Sequence, residues 1–377
     1  MLDTGIRAAE HKAQRRARRA AHGNERFITN HQDSVRNTDA SLEAFLERAN
    51  FDASDPAALG AMLEQMVDSG YDRLPLPGSG RTLDRWRALA AVAARDLGLV
   101  KLFEGHTDAL AILAELDGAA PPPASLWGVW AAEAPDARVV ATPFGDGQLQ
   151  LSGTKAWCSG AQTVSHALVT AWLGDEPVLA SVALHQPSVS ITTHHWHAVG
   201  MRATASGDVR FEQTRALQIG APHGYVRRPG FWQGGAGIAA CWYGAAAGVA
   251  NMMAEAIKAR PDAHRLAHMG AVEVALAGAA ALLRATAAQI DAHPGADAQS
   301  PAMRARLAVE AAATAVMGHA GRALGAAPLC RNERFARAMA DLPVFLRQSH
   351  AERDLAALAE CSLGQRGSNG SGNQWAL

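Results

Sequence analysis

The chain of 377 residues is poor in cysteine, with four, and in tyrosine, with three. Cys158, Cys241, Cys330 and Cys361 stand far apart and form no CxxC pair, so neither a disulfide framework nor a cysteine zinc site is signalled. They read as small apolar residues of a reducing compartment. Charge of one sign is lacking too: the net charge is -1 and the pI about 7.0, which leaves no general attraction for nucleic acid or an anionic membrane. No run of about 18 apolar residues free of charge occurs, and the N-terminus lacks the short apolar core of a secretory signal. A soluble, cytoplasmic protein is the expectation. The one basic cluster, Arg15, Arg16, Arg18 and Arg19, falls in residues 1–36, read as a flexible leader.

Several chemistries lack an anchor. There is no G-x-S-x-G nucleophile elbow and no phosphate-binding GxxxxGK[ST] loop. Gly235-Ala-Gly-Ile-Ala-Ala240 matches a dinucleotide fingerprint, but no strand precedes it. In His194-His195-x-His197 only His195 and His197 share a strand face, and no acidic or cysteine partner lies nearby in sequence, so no metal is expected.

What is present falls into three regions. Residues 37–120 carry apolar side chains at helical spacing, as in Leu59, Met62, Leu63 and Met66, with helix starts at Asp55 before Pro56 and at Thr82. Residues 121–228 change to short β-rich runs split by turns: 128–132, 139–143, 149–157, 166–172, 177–184, 189–195 and 208–213. Seven strands without helices between them argue for an antiparallel barrel or sandwich. Residues 229–361 return to helical, alanine-rich stretches at 236–258, 266–292, 301–324 and 334–358, long enough for a four-helix bundle. Residues 362–377 read as a flexible tail. The expected fold class is therefore α+β and multidomain.

Two stretches stand out chemically. Leu151-Ser-Gly-Thr-Lys-Ala-Trp-Cys-Ser-Gly-Ala161 sets one large indole, Trp157, among residues too small to hide it. Glu104-Gly-His-Thr-Asp108 puts ionisable groups and a helix-weakening glycine inside an apolar helical run, so a close approach at Gly105 is expected and Glu104 and His106 are candidate pocket residues.

The order helical domain, β domain, helical bundle resembles the acyl-CoA dehydrogenase family, and three motifs in register over most of residues 40–360 carry the likeness. Lys155-Ala-Trp-Cys-Ser-Gly160 resembles the family's K-x-W-[IV]-[ST]-N segment; Gly200-Met-Arg-Ala-Thr-Ala-Ser-Gly-Asp-Val-Arg-Phe211 is similar to its G-x-R-x-S strand; Leu324-Gly-Ala-Ala-Pro328, with Arg334 and Asp341, resembles its GGxG loop and R-D pair. The resemblance implies FAD, with Trp157 beside the flavin ring, Ser159 on its N5, Arg202 at the cofactor, and Gly325 and Ala326 at the diphosphate. It also implies a homodimer or homotetramer and a small acyl substrate, possibly a CoA thioester, with an unspecified electron acceptor. Core packing is the competing reading for Trp157.

The departures bear on activity. The family's T-E-P loop survives only as Ala132-Glu-Ala-Pro-Asp136, and the position of its catalytic glutamate is taken by Ser349, followed by His350. The leading expectation is α,β-dehydrogenation of an acyl thioester with a non-standard base, the candidates being His350 and Ser349. The alternatives are a flavin monooxygenase or oxidase on the same fold, or an inactive flavoprotein-like binding subunit.

Overall fold

The computed structural model describes residues 39–369. The basic leader and residues 370–377 lie outside the described residues. The first helical region comprises α1 (Asp39–Arg48), α2 (Pro56–Asp68), α3 (Thr82–Arg95) and α4 (Leu97–Glu115). α2 starts where expected: Asp55 is extended, its carboxylate accepts the Ala57 N–H, and Pro56 occupies the first turn, where an N–H has no partner to lose. The start of α3 is capped from elsewhere. Asp291, 209 residues later, accepts the Thr82 N–H at 2.9 Å and the Thr82 hydroxyl at 2.6 Å, and also the Gly80 N–H at 3.0 Å.

The β region holds β1 (Trp127–Trp130), β2 (Val139–Pro143), β3 (Gln148–Cys158), β4 (His166–Leu173), β5 (Glu176–Ala183), β6 (Val189–Thr192) and β7 (Gly207–Ile219). The pairings β4–β2–β3–β7–β5 return to β4, which closes the sheet on itself, while β6 adds to β7. Closure removes the exposed sheet edges that an open meander would leave. Most pairs are antiparallel, but β1 runs parallel to β4, and β2 meets β4 in parallel through Val140 and Trp172. β7 is longer than its alternation predicts. Gln213 has φ +53 and the register with β3 slips between Leu151 and Gly153, so the buried side chains change phase and the second half reads as a break.

The last region contains α5 (Gly224–Arg227), α6 (Gly230–Ala259), α7 (Ala263–Ala292), α8 (Gln299–Leu324), α9 (Ala326–Arg331), α10 (Glu333–Leu346) and α11 (Glu352–Asn369). The single helix expected over 334–358 is broken into α10 and α11: the chain turns after Leu346, and Ala351 takes φ +47, which no α-helix accommodates. α11 then runs to Asn369, past the expected tail boundary. α6 lies directly on α3 because Gly244 and Gly248 carry no side chain; a Cβ at Gly244 would collide with the Ala90 carbonyl, and one at Gly248 would come within 2.9 Å of that of Ala94. Among the described residues α7 alone is long and apolar enough to cross a membrane by length and composition, and only 22% of its most apolar stretch is buried. Its outward face includes Leu266, Gly270, Val274, Ala277 and Ala281.

Because Asp291 accepts the first N–H group of α3, where no side chain of the N-cap residue Arg81 does so, Asp291→Ala is expected to cost about 1–2 kcal/mol, the usual value of a lost N-cap. Urea unfolding with an unchanged m-value checks this; an unchanged midpoint refutes the clamp.

Candidate active site

β3 ends in an irregularity that sets up the site. The register against β7 shifts between Lys155 and Cys158, and inside that bulge Trp157 adopts φ +59. A left-handed aromatic residue carries strain of about 1–3 kcal/mol, which persists only where the surroundings impose it. Its indole is 56% exposed, so Trp157 is not a core residue. The residues on either side do the holding. Cys158 is fully buried, and Lys155 extends into the protein, where its ammonium donates to Glu133 Oε1 at 2.7 Å, Thr170 Oγ1 at 2.8 Å and the Thr170 carbonyl at 3.1 Å. Burial pushes the Lys155 pKa down, and Glu133 opposes that. Burial would raise Glu133, but hydrogen bonds from Lys155, Thr170 and Trp172 outweigh it and hold the carboxyl below its ordinary value.

Behind the bulge runs a chain of hydroxyls. Ser159 Oγ lies 2.7 Å from Ser206 Oγ, which lies 2.8 Å from Thr204 Oγ1; Thr204 Oγ1 donates to the Met201 carbonyl at 2.7 Å. Ser206 and Thr204 are buried and Ser159 is half-buried. Their loop is itself strained: Met201 has φ +57 and Ala205 φ +42, flanking the short 3₁₀ turn Arg202–Thr204. Three contacts pin it. The Gly160 N–H donates to the Thr204 carbonyl at 2.9 Å, Gly200 packs so tightly on Ala340 that a Cβ would collide with its carbonyl, and the Met201 N–H donates to the buried Asp341 carboxylate. Burial pushes the Asp341 carboxyl up to about 6, against the lowering effect of the Met201 N–H. Arg202, in the same turn, presents an exposed guanidinium.

The other expected site residues are placed as follows. His106 is 1% exposed and lines no open space: its Nδ1 accepts the Trp127 N–H at 3.2 Å, which leaves the proton on Nε2 for Asp72, 3.3 Å away. It joins α4 to β1. Gly105 is not crowded either, since a Cβ there would sit 3.9 Å from the Val129 nitrogen, an ordinary contact. Glu104 is buried against Lys101 at 2.9 Å, and burial pushes its pKa up. Ser349 is buried and its Oγ accepts the Ala351 N–H at 3.2 Å, whereas the neighbouring His350 is largely exposed and faces Asp354, its Nδ1 at 3.3 Å and its N–H at 3.0 Å. The two are adjacent in sequence but do not converge. Gly325 takes φ +66 at the end of α8 with open space around it, and Ala326 beside it is exposed. Arg334 donates to the Ala94 carbonyl, and Asp341 is occupied by Met201, so the supposed R-D pair is spent on structure. His195 does have an acidic partner, Asp208 at 2.9 Å from the neighbouring strand, but no metal-binding group occurs among the described residues. Sequence reasoning missed Thr204, Ser206 and Lys155; the alternation Ala203-Thr-Ala-Ser206 was the signal for the first two.

No family model matches the chain. A dibenzothiophene monooxygenase of Rhodococcus erythropolis is 32% identical over 99 residues, a match covering 24% of each chain. Among solved structures, TdsC from Paenibacillus sp. A11-2 in complex with FMN and indole superposes with TM-score 0.69 at 18% identity, covering 92% of this chain and 98% of that one. KijD3 in complex with FMN and a dTDP-amino-keto sugar gives TM-score 0.70 at 18% identity, covering 92% and 94%. The chain has an acyl-CoA dehydrogenase-like fold. Both of these solved structures hold FMN, and the curated relative is a monooxygenase.

The raised Asp341 pKa gives a pH prediction. A carboxyl whose folded pKa exceeds its unfolded value near 4 loses stability as pH rises from about 4 to about 6, by roughly 2–3 kcal/mol, and no further above that. Asp341→Asn keeps an acceptor for Met201 without that loss. The melting temperature of the variant relative to the native protein is expected to climb between pH 4 and 6 and then level; a constant difference would show that Asp341 is not desolvated.

Proposed function

We propose that the chain is a flavin-dependent monooxygenase, with FMN the favoured flavin, acting on a sulfur or nitrogen atom of a small organic substrate. The observation that carries the flavin is Trp157, an exposed indole held in strained backbone beside the half-buried Ser159 hydroxyl. A flat ring laid against it gains the offset-stacking energy of an aromatic pair, about 0.5–1.5 kcal/mol beyond its buried area. Ala156, Cys158 and Ser159 beside Trp157 in the chain are small, and the exposed Arg202 guanidinium is available to an anionic group. When bound and reduced, the flavin would supply the electrons with which one atom of dioxygen enters the substrate.

The preference for oxygenation over desaturation is supported by the two bases expected from the sequence, since Ser349 is buried in a turn and His350 points toward solvent and Asp354. Desaturation needs a side chain within about 3 Å of the α-carbon proton. Glu133 is held by Lys155, Glu104 by Lys101, and Asp341 by Met201, while His350 faces solvent and Asp354. The substrate class is drawn from the dibenzothiophene and indole of the similar proteins and the amino sugar of KijD3.

A second copy of this chain is the partner proposed for the outward face of α7. Glu273 and Arg284 flank that face and both are exposed; pairing two α7 helices antiparallel about the Gly278–Ala279 bond sets each Glu273 opposite an Arg284 of the other copy. Sedimentation is expected to give a dimer or tetramer, and Ala281→Glu to dissociate it; a native monomer refutes the surface.

Titration with FMN and turnover with chemically reduced FMN, air and indole or dibenzothiophene test the activity. Oxygen from labelled O₂ is expected in the product, and Trp157→Ala is expected to weaken FMN binding about tenfold with the circular dichroism unchanged. Anaerobic bleaching of bound flavin by butyryl-CoA would instead restore the dehydrogenase reading. Absence of flavin binding would leave a binding subunit.

A further inference from the structure

The three hydroxyls behind Trp157 are linked in one direction only. A hydroxyl has a single hydrogen to donate. Thr204 spends its hydrogen on the Met201 carbonyl, which can only accept, so in the contact between Thr204 and Ser206 the donor is Ser206. Ser206 has then spent its own hydrogen, and in the contact between Ser206 and Ser159 the donor is Ser159. The order is fixed from a backbone carbonyl outward. Ser159 is left with lone pairs and no hydrogen for anything that lies against it.

The polarity is well anchored. Thr204 is pinned through its carbonyl by the Gly160 N–H, and Met201, whose carbonyl starts the chain, is pinned through its own N–H by Asp341. Both flanking residues sit in left-handed backbone, so the loop has few alternative ways to turn the Thr204 hydroxyl elsewhere. Reversing the chain would cost the Met201 carbonyl its hydroxyl partner and leave it the Thr204 N–H at 3.1 Å.

We infer that this hydroxyl chain makes Ser159 an obligate hydrogen-bond acceptor and thereby tunes the site to reduced rather than oxidised flavin. The inference rests on the proposed flavin site with Ser159 at N5. Oxidised flavin offers a bare acceptor at N5, which meets the Ser159 oxygen unfavourably, whereas reduced flavin carries an N5–H that Ser159 can accept. Thr204 and Ser206 are positioning residues: they touch no flavin and act through the orientation of Ser159. A hydrogen bond made in one redox state and opposed in the other predicts tighter binding of the reduced form by about tenfold or more.

The test compares dissociation constants of the native protein and variants for oxidised FMN, by fluorescence titration, and for dithionite-reduced FMN, anaerobically. The native protein is expected to bind reduced FMN at least tenfold more tightly. Ser206→Ala frees the Ser159 hydrogen, and Thr204→Val lets Ser206 donate back to Ser159; both are expected to tighten oxidised FMN and lower the preference about tenfold, equivalent to about 30 mV in a two-electron potential. Thr204→Ser keeps the chain and is expected to behave as the native protein, which separates orientation from packing. A native protein that prefers oxidised FMN, or a preference unchanged in both Ser206→Ala and Thr204→Val, overturns the inference while leaving flavin binding intact. Failure of the native protein to bind either redox form overturns the flavin reading itself and the inference with it.

Discussion

The Asp341 carboxylate accepts the Met201 N–H, and the arrangement of the site depends on that bond. It joins α10 of the helical bundle to the loop that follows the barrel's sixth strand. On one side of it, Gly200 lies against the backbone of Ala340, too close for any side chain. On the other, two left-handed residues hold Thr204 and Ser206 behind the bulge that bears Trp157. A buried carboxylate is a costly anchor, and burial indeed raises its pKa to about 6. The cost goes with position: a neutral apolar contact would not fix the direction of a backbone N–H in the same way.

The same logic of long-range polar clamps recurs where the three regions meet. Asp291 of α7 caps α3, and Glu115 of α4 pairs with Arg228 at 2.7 Å and accepts the Gly230 N–H at the start of α6. Each ties a backbone terminus or turn of one region to a side chain of another. Where α6 lies on α3, Gly244 and Gly248 bring the helices close but specify direction weakly. Direction comes from these charged contacts.

How much of this was legible in the sequence follows from the range of each interaction. Asp55-Pro56 caps its own helix, so that start could be read directly; the cap of α3 could not, because its carboxylate is 209 residues away. Six of the seven strands are close to their patterned limits. β7 exceeds its limits because a bulge at Gln213 inverts the alternation that marks a strand. Trp157 was legible as an exposed ring because its neighbours are small. His106 was misread, since a histidine that bonds a strand N–H and an aspartate from the turn after α2 leaves no mark in its local sequence. Ser349 and His350 are adjacent in the chain, yet the turn that breaks the fourth helix buries one and exposes the other.

The two departures from a desaturating site point the same way. Removing hydrogen from a saturated carbon requires an oxidised flavin to receive hydride and a carboxylate to take the α-proton. Here Glu104 and Glu133 are tied into ion pairs, and the hydroxyl at the proposed flavin edge is oriented as an acceptor, suited to the N–H that only the reduced ring carries. Delivering electrons to dioxygen needs a reduced flavin and no base at the substrate carbon. A change to one feature alone would leave a poor dehydrogenase. Both features, resting on contacts in different parts of the molecule, accord with the proposed oxygen chemistry.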